Sequence, residues 1–591
     1  MAKTTADFML ERLTDWGVQN IYGFPGDGIS STLKALGKAI DRFTFVQSRH
    51  EEESAFMACA HAKWTGEPGV CLATSGPGAI HLLNGLYDAK LDHQPVVAII
   101  GQQDRAALGG SYQQEVDLLT LFKDVAHNYV HYCQSPTQMR HLIDRAFRIA
   151  KAKRCVTAII LPDDVGEEPA IEQPPHEHGT IHSGIGYAKK PRMIPQDADL
   201  REAAAVLNAA ERPAIMIGAG ALGAGDEVRA VADKLGAGVC KALLGKAALP
   251  DDLPYVTGQM GLLGTSPSYD LMMECDAFLM VGSGFPYSEF LPEEGKAKGV
   301  QIDIDPGMLS IRFPMDVNLT GDAKDTLAAL LPLLEEKDRS KWRNGIEKNV
   351  ADWWEGVEKR AHLEADPINP QLLFWECSAR LPDNAILAAD SGTAANWYAR
   401  AIRIREGMKG SLSGTLATMC PGVPYVTAAK FTHPDRVAVG FVGDGAMQML
   451  GNSALITIAK YWQTWEDPRC VIAVLNNEDL NQVTWEMRAM SGFPKIEETQ
   501  SVPSFDYAAY ASSLGLKGIR VEKPEQVAEA WDEAFSADRP VVIDCLTDPT
   551  MPTLPPNITS AQRRNYFKSL MKGDTDEGSI IKNTIKSFFT S

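Results

Sequence analysis

No two cysteines in this sequence stand in a CxxC spacing, although ten are spread along its 591 residues. Several lie inside apolar runs (Cys59, Cys155, Cys240), so they read as reduced, buried thiols of a cytoplasmic protein. That excludes a disulfide framework or a cysteine zinc site. Also missing is any window of the roughly 18 uncharged apolar residues that a membrane span needs. The N-terminus, Met1-Ala2-Lys3-Thr4, does not open on a signal-peptide apolar stretch and runs directly into an amphipathic pattern. Positive charge is short as well: 57 Lys and Arg stand against 76 Asp and Glu, a formal net charge of −19. This balance makes a soluble surface and argues against a nucleic-acid partner, which needs a basic face.

What is present is an alternation of strand-like and helix-like segments over a length that implies about three domains. Hydrophobic content of 45% with 23% charged residues is enough for large cores. In the first unit, Asn20 to Gly23 ends in Phe24-Pro25-Gly26-Asp27-Gly28, and Val70 to Thr74 ends in Ser75-Gly76-Pro77-Gly78. Val96 to Ile100 is a third apolar run, and Glu52 to Trp64 reads as a helix. A polar, His- and Pro-rich stretch from about Glu167 to Pro195 reads as a linker. The second unit carries strands at Ala214 to Ile217, Ala277 to Val281 and Val300 to Ile304, and closes on the charged, helical stretch Glu335 to Arg360. The third carries strands at Ala385 to Ala388, Val437 to Val442, Cys470 to Leu475 and Val541 to Cys545. The expected fold is α/β, with three doubly wound parallel-sheet domains at 1–180, 190–345 and 365–550, and a tail at 551–591. In such sheets ligands gather at the loops that follow the strands, where these glycine-rich turns fall. The first and third units share one grammar without an identifiable sequence repeat.

The central constellation is Phe441-Val442-Gly443-Asp444-Gly445-Ala446, a helical stretch, the strand Val471 to Leu475, and Asn476-Asn477. The first strand delivers an Asp beside a Gly-rich turn that opens a helix. A helix N-terminus presents free N–H groups and a positive dipole end, which suit a diphosphate. Mg²⁺ prefers oxygen donors and often keeps one or two carboxylates plus substrate phosphates. Asp444, the side-chain oxygen of Asn477 and a backbone carbonyl near Asp479 could supply such a set. A lone Gly-Asp-Gly is usually a plain turn; its strand–turn–helix–strand–Asn-Asn context is what makes it specific.

With these motifs the sequence resembles the thiamine-diphosphate decarboxylase superfamily, in its pyruvate oxidase and acetolactate synthase branch, from the N-terminus to about residue 570. The resemblance implies a pyrimidine-binding first domain, a nucleotide-binding-like middle domain and a third domain binding the diphosphate and Mg²⁺. It reverses the reading of Arg49-His50-Glu51-Glu52-Glu53, whose three carboxylates alone would be a solvated helix start. Glu51 becomes the acid that hydrogen-bonds the cofactor's aminopyrimidine and relays its proton, while Glu52 and Glu53 stay structural. It further implies that Ser391, Gly392 and Thr393 serve the diphosphate and that Met419 packs beneath the thiazolium. Gly26, Gly76, Pro77 and Gln114 are placed around the pyrimidine. About six extra residues near Tyr461 to Arg469 depart from the family spacing and are expected to be a surface decoration. The family pairs the first domain of one subunit with the third of another, so a homodimer or homotetramer is implied.

Gly218-Ala219-Gly220 follows a strand but lacks the GxGxxG spacing, leaving a phosphate turn and a packing turn equally open. By resemblance Gly218 and Gly220 would lie near the phosphates of FAD, with Asp303 and Asp305 near its adenosine. Relatives with this domain carry FAD, another adenine nucleotide or nothing; FAD is the expectation here. The tail residues Ile580, Ile581, Ile585, Phe588 and Phe589 form an apolar stripe suited to packing on the chain itself or on a partner subunit. A peripheral membrane contact at the inner face is the alternative, since quinone-linked pyruvate oxidases have such a segment. Three departures make the substrate pocket more polar than the family's: Gln113 at a Phe position, Ser391 for Val, and Asn481-Gln482 after the metal loop. A buried amide without a partner costs roughly 1–3 kcal/mol, so Gln113 and Gln482 imply a substrate or acceptor more polar than pyruvate. The expected activity is decarboxylation of a 2-oxo acid with oxidation through FAD. The alternatives are two-carbon transfer to a second carbonyl, as in acetolactate synthase, a non-catalytic subunit, and a nucleotide-binding oxidoreductase without thiamine.

Overall fold

A computed structural model describes residues 2–187, 191–553, 555, 560–572, 574 and 576–588. Three six-stranded sheets follow one another along the chain. The first contains β1 (Asn20–Gly23), β2 (Thr44–Gln47), β3 (Gly69–Ala73), β4 (Val96–Gln102), β5 (Val130–Tyr132) and β6 (Val156–Pro162). The second contains β7 (Pro213–Ile217), β8 (Gly238–Lys241), β9 (Val256–Gln259), β10 (Ala277–Val281), β11 (Lys298–Asp303) and β12 (Val317–Thr320). The third contains β13 (Ile386–Ala389), β14 (Lys409–Ser411), β15 (Ala438–Gly443), β16 (Cys470–Asn476), β17 (Lys517–Val521) and β18 (Val541–Leu546). Each strand pairing is parallel. Helices cover both faces, as parallel sheets require.

The strand orders carry the functional information. Sheet one runs β2-β1-β3-β4-β6-β5 and sheet three runs β14-β13-β15-β16-β18-β17, which is the same order when each is numbered from its own first strand. The shared grammar of the two units is therefore a shared topology. Sheet two runs β12-β11-β10-β7-β8-β9, the 3-2-1-4-5-6 order of dinucleotide-binding folds, with its switch point between β7 and β10. No helix or strand lies between 168 and 196 among the described residues, where the linker is expected.

The first and third units share one core. The helix Glu51–Thr65 packs on the helix Gly422–Thr432, and both contribute to a single buried cluster. Trp64 Nε1 donates to the Tyr425 carbonyl at 3.0 Å, and Tyr425 Oη donates to Asp88 at 2.5 Å. The insertion near Tyr461 is part of this contact and is not a surface decoration. Tyr461 Oη accepts the Gln47 amide (2.8 Å) and donates to the Phe45 carbonyl (3.1 Å). It thereby pairs the open edge of β2, which would otherwise expose unpaired backbone groups. Trp465 is buried against Phe431, with ring centroids 6.0 Å apart.

Glu53 is structural but not solvated. It is fully buried in this shared core; Oε2 accepts the Arg49 amide at 2.9 Å and Oε1 has no hydrogen bond. Burial pushes its carboxyl up to about 7 from an ordinary 4.5. The folded chain thus holds this proton more tightly than the unfolded chain. The resulting stability is complete below pH 4.5 and is lost as pH rises through about 7, on the order of 3 kcal/mol. Glu53→Gln is expected to raise the thermal midpoint at pH 8 and to lose that advantage at pH 4.5, as read by calorimetry at both pH values.

Candidate functional site

Parallel strands send the loops after them to one edge of their sheet, and the candidate residues occupy those loops. In sheet three, β13 leads into Asp390-Ser391-Gly392, β14 into the loop carrying Met419, β15 into Asp444 and β16 into Asn477. Asp444 is buried (3% exposed) at the start of the helix that continues from Gly445 and Ala446. Its Oδ1 accepts Gly445 N–H at 2.8 Å, and its Oδ2 accepts Asn477 N–H at 2.8 Å and Glu478 N–H at 2.6 Å. Burial, reinforced by the like charge of Asp479, lifts its carboxyl to about 7. A buried carboxylate held by amides alone, with the Asn477 amide oxygen on the adjoining strand end, suits a hard divalent cation. The Asp479 side chain is committed elsewhere, to Asn481 (2.9 Å) and Thr484 (2.9 Å), which leaves its backbone carbonyl as the donor it could offer. Gly443 and Gly445 leave this turn bare. A Cβ on Gly445 would meet Leu480 Cδ2 at 2.6 Å and Met419 Cε at 3.4 Å.

The loop after β13 is organised by a residue whose role the sequence alone does not reveal. Asp390 is fully buried and accepts the amides of Ser391 (2.9 Å), Cys420 (2.9 Å) and Gly422 (3.0 Å). It ties the loop after β13 to the loop of Met419, and Ser391 Oγ adds a bond to the Thr418 carbonyl at 2.6 Å. Gly392 adopts φ +86°, and the helix Thr393–Ala401 then opens without a side-chain cap, so its first amides are left available to an anion. Gln482 sits against Gly392; its Oε1 accepts Asn396 Nδ2 at 2.5 Å and its Nε2 donates to Glu486 at 2.9 Å. Gln113 lies exposed on a loop of the first unit, so only Gln482 of the pair is placed beside the third-unit loops.

Sheet one gathers the other half. Glu51 is 8% exposed at the N-terminus of its helix, and its Oε2 stands 2.9 Å from His81 Nδ1. A Cβ on Gly78 would come within 3.1 Å of Glu51 Oε1, so this glycine leaves room for the acid. A side chain on Gly26 would strike Thr74 at 2.5 Å, and one on Gly76 would strike Gln114 at 2.7 Å. Gln114 Oε1 accepts Ser75 Oγ at 3.2 Å. Glu51, Gly26, Gly76, Pro77 and Gln114 are thus one cluster. His81 is a member that sequence reasoning missed, because thirty positions of chain separate it from Glu51. The halves meet within the chain through Asn84, whose Nδ2 donates to Glu52 (2.7 Å) and to Thr418 (3.0 Å). Five of the eight described non-glycine residues with positive φ (Ser111, Gln114, Ala417, Cys420, Glu478) lie in these loops. Backbone strain collects at such sites when the surroundings enforce it.

In the middle unit the loops after β7, β10 and β11 line one edge as expected. At Gly218 and Gly220, however, the atoms that exclude a side chain belong to the chain's own Gly282-Ser283 turn, at 2.4–2.8 Å for Gly218 and 2.7–3.3 Å for Gly220. These glycines serve close packing across the switch point. Asp303 accepts the Asp305 amide (3.0 Å) and Asp305 accepts the Gly307 amide (2.8 Å), a self-capped turn with Asp305 exposed. Gln259, at the end of β9, has an amide that is fully buried and without a hydrogen-bond partner at either atom. Such an orphaned group fits a ligand at this edge.

The tail packs on the third unit. Helix Ser560–Leu570 and helix Glu577–Phe588 lie over the segment that follows the Asn477–Asp479 loop. Ile580 is buried with Trp485, Tyr566 and Leu570, whereas Ile581 is exposed. Phe589, and the side chains of Ile585 and Phe588, lie outside the described residues. Arg488, 1% exposed, makes two 2.8 Å bonds to buried Asp574. Removing one member of a buried pair costs about 3–5 kcal/mol. Asp574→Ala is accordingly expected to release this hairpin to limited proteolysis, as followed by gel and mass analysis. No described helix is long and apolar enough to cross a membrane.

Comparison with known proteins matches this geometry in three stretches. Family models for the thiamine pyrophosphate enzyme N-terminal TPP binding domain, central domain and C-terminal TPP binding domain fit residues 3–121, 200–330 and 390–545. The chain is 35% identical to the Bacillus subtilis "Putative thiamine pyrophosphate-containing protein YdaP", over 99% of this chain and all of that one. It is 29% identical to the pyruvate oxidase of Lactiplantibacillus plantarum, over 91% of this chain and 87% of the relative. It is 30% identical to a protein of Methanocaldococcus jannaschii named as a probable acetolactate synthase large subunit, over 93% of each.

Proposed function

The chain belongs to the thiamine pyrophosphate enzyme family, and from that premise we propose that it decarboxylates a 2-oxo acid and oxidises the product in the manner of a pyruvate oxidase. The observation that carries the reading is the pairing of two strand-end clusters, Asp444-Asn477 and Glu51, on sheets of identical topology. Mg²⁺ would be held by Asp444, the Asn477 side chain and the Asp479 carbonyl, with the diphosphate on the amides after Gly392 and Gly443. The bound cofactor supplies an electron sink for the carbanion left when CO₂ departs. The protein's own share is positional. Asp390 fixes the Ser391 and Met419 loops, Gly26, Gly76 and Gly78 keep the pyrimidine side open, and Glu51 holds the proton that activates the cofactor. FAD fits the second sheet through its 3-2-1-4-5-6 order and the orphaned Gln259 amide. The family resemblance adds a pairing of the first unit of one subunit with the third of another, which makes a homodimer or homotetramer the proposed working form beside the contact of the two units within the chain.

A second reading, two-carbon transfer to another carbonyl, draws on the relatives named acetolactate synthase and on the polar chain Asn396–Gln482–Glu486 beside Gly392. The purified protein decides between them. A flavin spectrum that bleaches when pyruvate is added anaerobically supports oxidation. Acetolactate formed without bleaching supports transfer, and neither outcome with any 2-oxo acid removes both.

A further inference from the structure

The first-unit half of the site contains a donor set that the proposed chemistry leaves partly unused. His50, Glu51 and His81 each offer one ligand atom, and these atoms lie within 4.8 Å of one another. The two imidazoles stack with centroids 4.4 Å apart and 27° between their planes. His50 Nδ1 accepts the Glu52 amide at 3.2 Å, which leaves Nε2 as its free nitrogen. His81 Nδ1 faces Glu51 Oε2 at 2.9 Å, and the side chains are 42% and 10% exposed. The cluster is therefore anchored at Glu51 and open on the side of His81.

Two imidazoles and one carboxylate are a poor set for Mg²⁺, which favours oxygen, and a good one for a borderline cation such as Zn²⁺. A tetrahedral ion with bonds of about 2.0–2.1 Å keeps its ligand atoms roughly 3.4 Å apart. The His81–Glu51 pair would have to open slightly and His50 to close, both within reach of small ring rotations. Three protein donors and one open position make a site that exchanges its ion with solvent.

We propose that in the cofactor-free chain His50, Glu51 and His81 bind a divalent cation of the Zn²⁺ class, and that this cation and thiamine diphosphate exclude each other. The exclusion rests on the role given to Glu51 above, since both occupants need its carboxylate; the cation site rests on the donor geometry alone.

The test uses the full chain stripped of cofactor with a chelator, desalted, and titrated with ZnCl₂ by calorimetry in excess MgCl₂. The Mg²⁺ keeps the Asp444 loop from competing. Wild type is expected to take up one tightly bound Zn²⁺ per chain. His81→Ala and His50→Gln, checked for unchanged thermal unfolding, are expected to bind it more than about tenfold more weakly, as loss of a ligand does at least what loss of a supporting group does. Added thiamine diphosphate should release the ion. Equal affinity in wild type and both variants overturns the site. Tight binding that needs His81 and His50 but survives saturating thiamine diphosphate overturns the exclusion, and with it the placing of the cofactor at Glu51, while leaving the cation site in place.

Discussion

Glu51→Gln is expected to lower kcat by about 10²–10⁴-fold, the range a positioned acid–base group contributes, while the fold stays intact. The amide keeps the shape and can still bond His81, but it cannot hold and return a proton. Glu51 lies at a helix N-terminus, 8% exposed, and its one described hydrogen-bond partner is the open-sided His81. Losing its charge therefore removes little packing. Steady-state kinetics with saturating cofactor, read beside thermal unfolding, checks the expectation. Turnover within tenfold of wild type would remove Glu51 from the chemistry and favour a binding subunit.

Asp444→Ala is expected to have the largest effect on cofactor retention, with metal-dependent binding weakened by at least about a hundredfold. Two causes add. The carboxylate is the only charged donor of the proposed metal set. It is also the acceptor that holds the Asn477 and Glu478 amides at 2.8 and 2.6 Å, and each amide left unpaired costs about 1–3 kcal/mol. Asp444→Asn separates the causes, because it keeps an oxygen for the amides and removes the charge. Equilibrium dialysis with thiamine diphosphate and Mg²⁺ should find both variants unloaded and only Asp444→Ala with a displaced loop. Retention of cofactor by Asp444→Asn at wild-type affinity would move the metal elsewhere.

How much of this was legible before the structure depended on burial. Fully buried parallel strands read as unbroken apolar runs, so β1, β10, β15 and β16 are found within a residue at each end. Several strands that went unread are short or half-exposed edges, such as Val130–Tyr132, Lys517–Val521 and Thr44–Gln47, which carry no continuous apolar signal; Val156–Pro162 went unread although it is fully buried. Gly238–Lys241 is buried but ends on Lys241, whose charge is masked by Asp251 and by the carbonyls of Lys246 and Leu249. Asp444 and Asn477 could be proposed from the strand-end loops that hold them, whereas Glu51 reads as an ordinary helix start without the family resemblance. Partners brought in by folding were not legible: His81, Asn84 and Asp390 gain their roles from neighbours distant in sequence. The insertion near Tyr461 misled for the same reason, since nothing in its composition shows that Tyr461 closes the edge of β2. At Gly218 and Gly220 the sequence left a phosphate turn and a packing turn open, and the geometry places both against Gly282.

The account stands most directly on what the purified chain carries and needs. Protein isolated with mild buffers, denatured and analysed by mass spectrometry and metal analysis, is predicted to release about one thiamine diphosphate and one Mg²⁺ per chain. Dialysis against a chelator should abolish turnover of 2-oxo acids, and the two components together, but neither alone, should restore it. Full activity after complete removal of thiamine diphosphate would contradict the account.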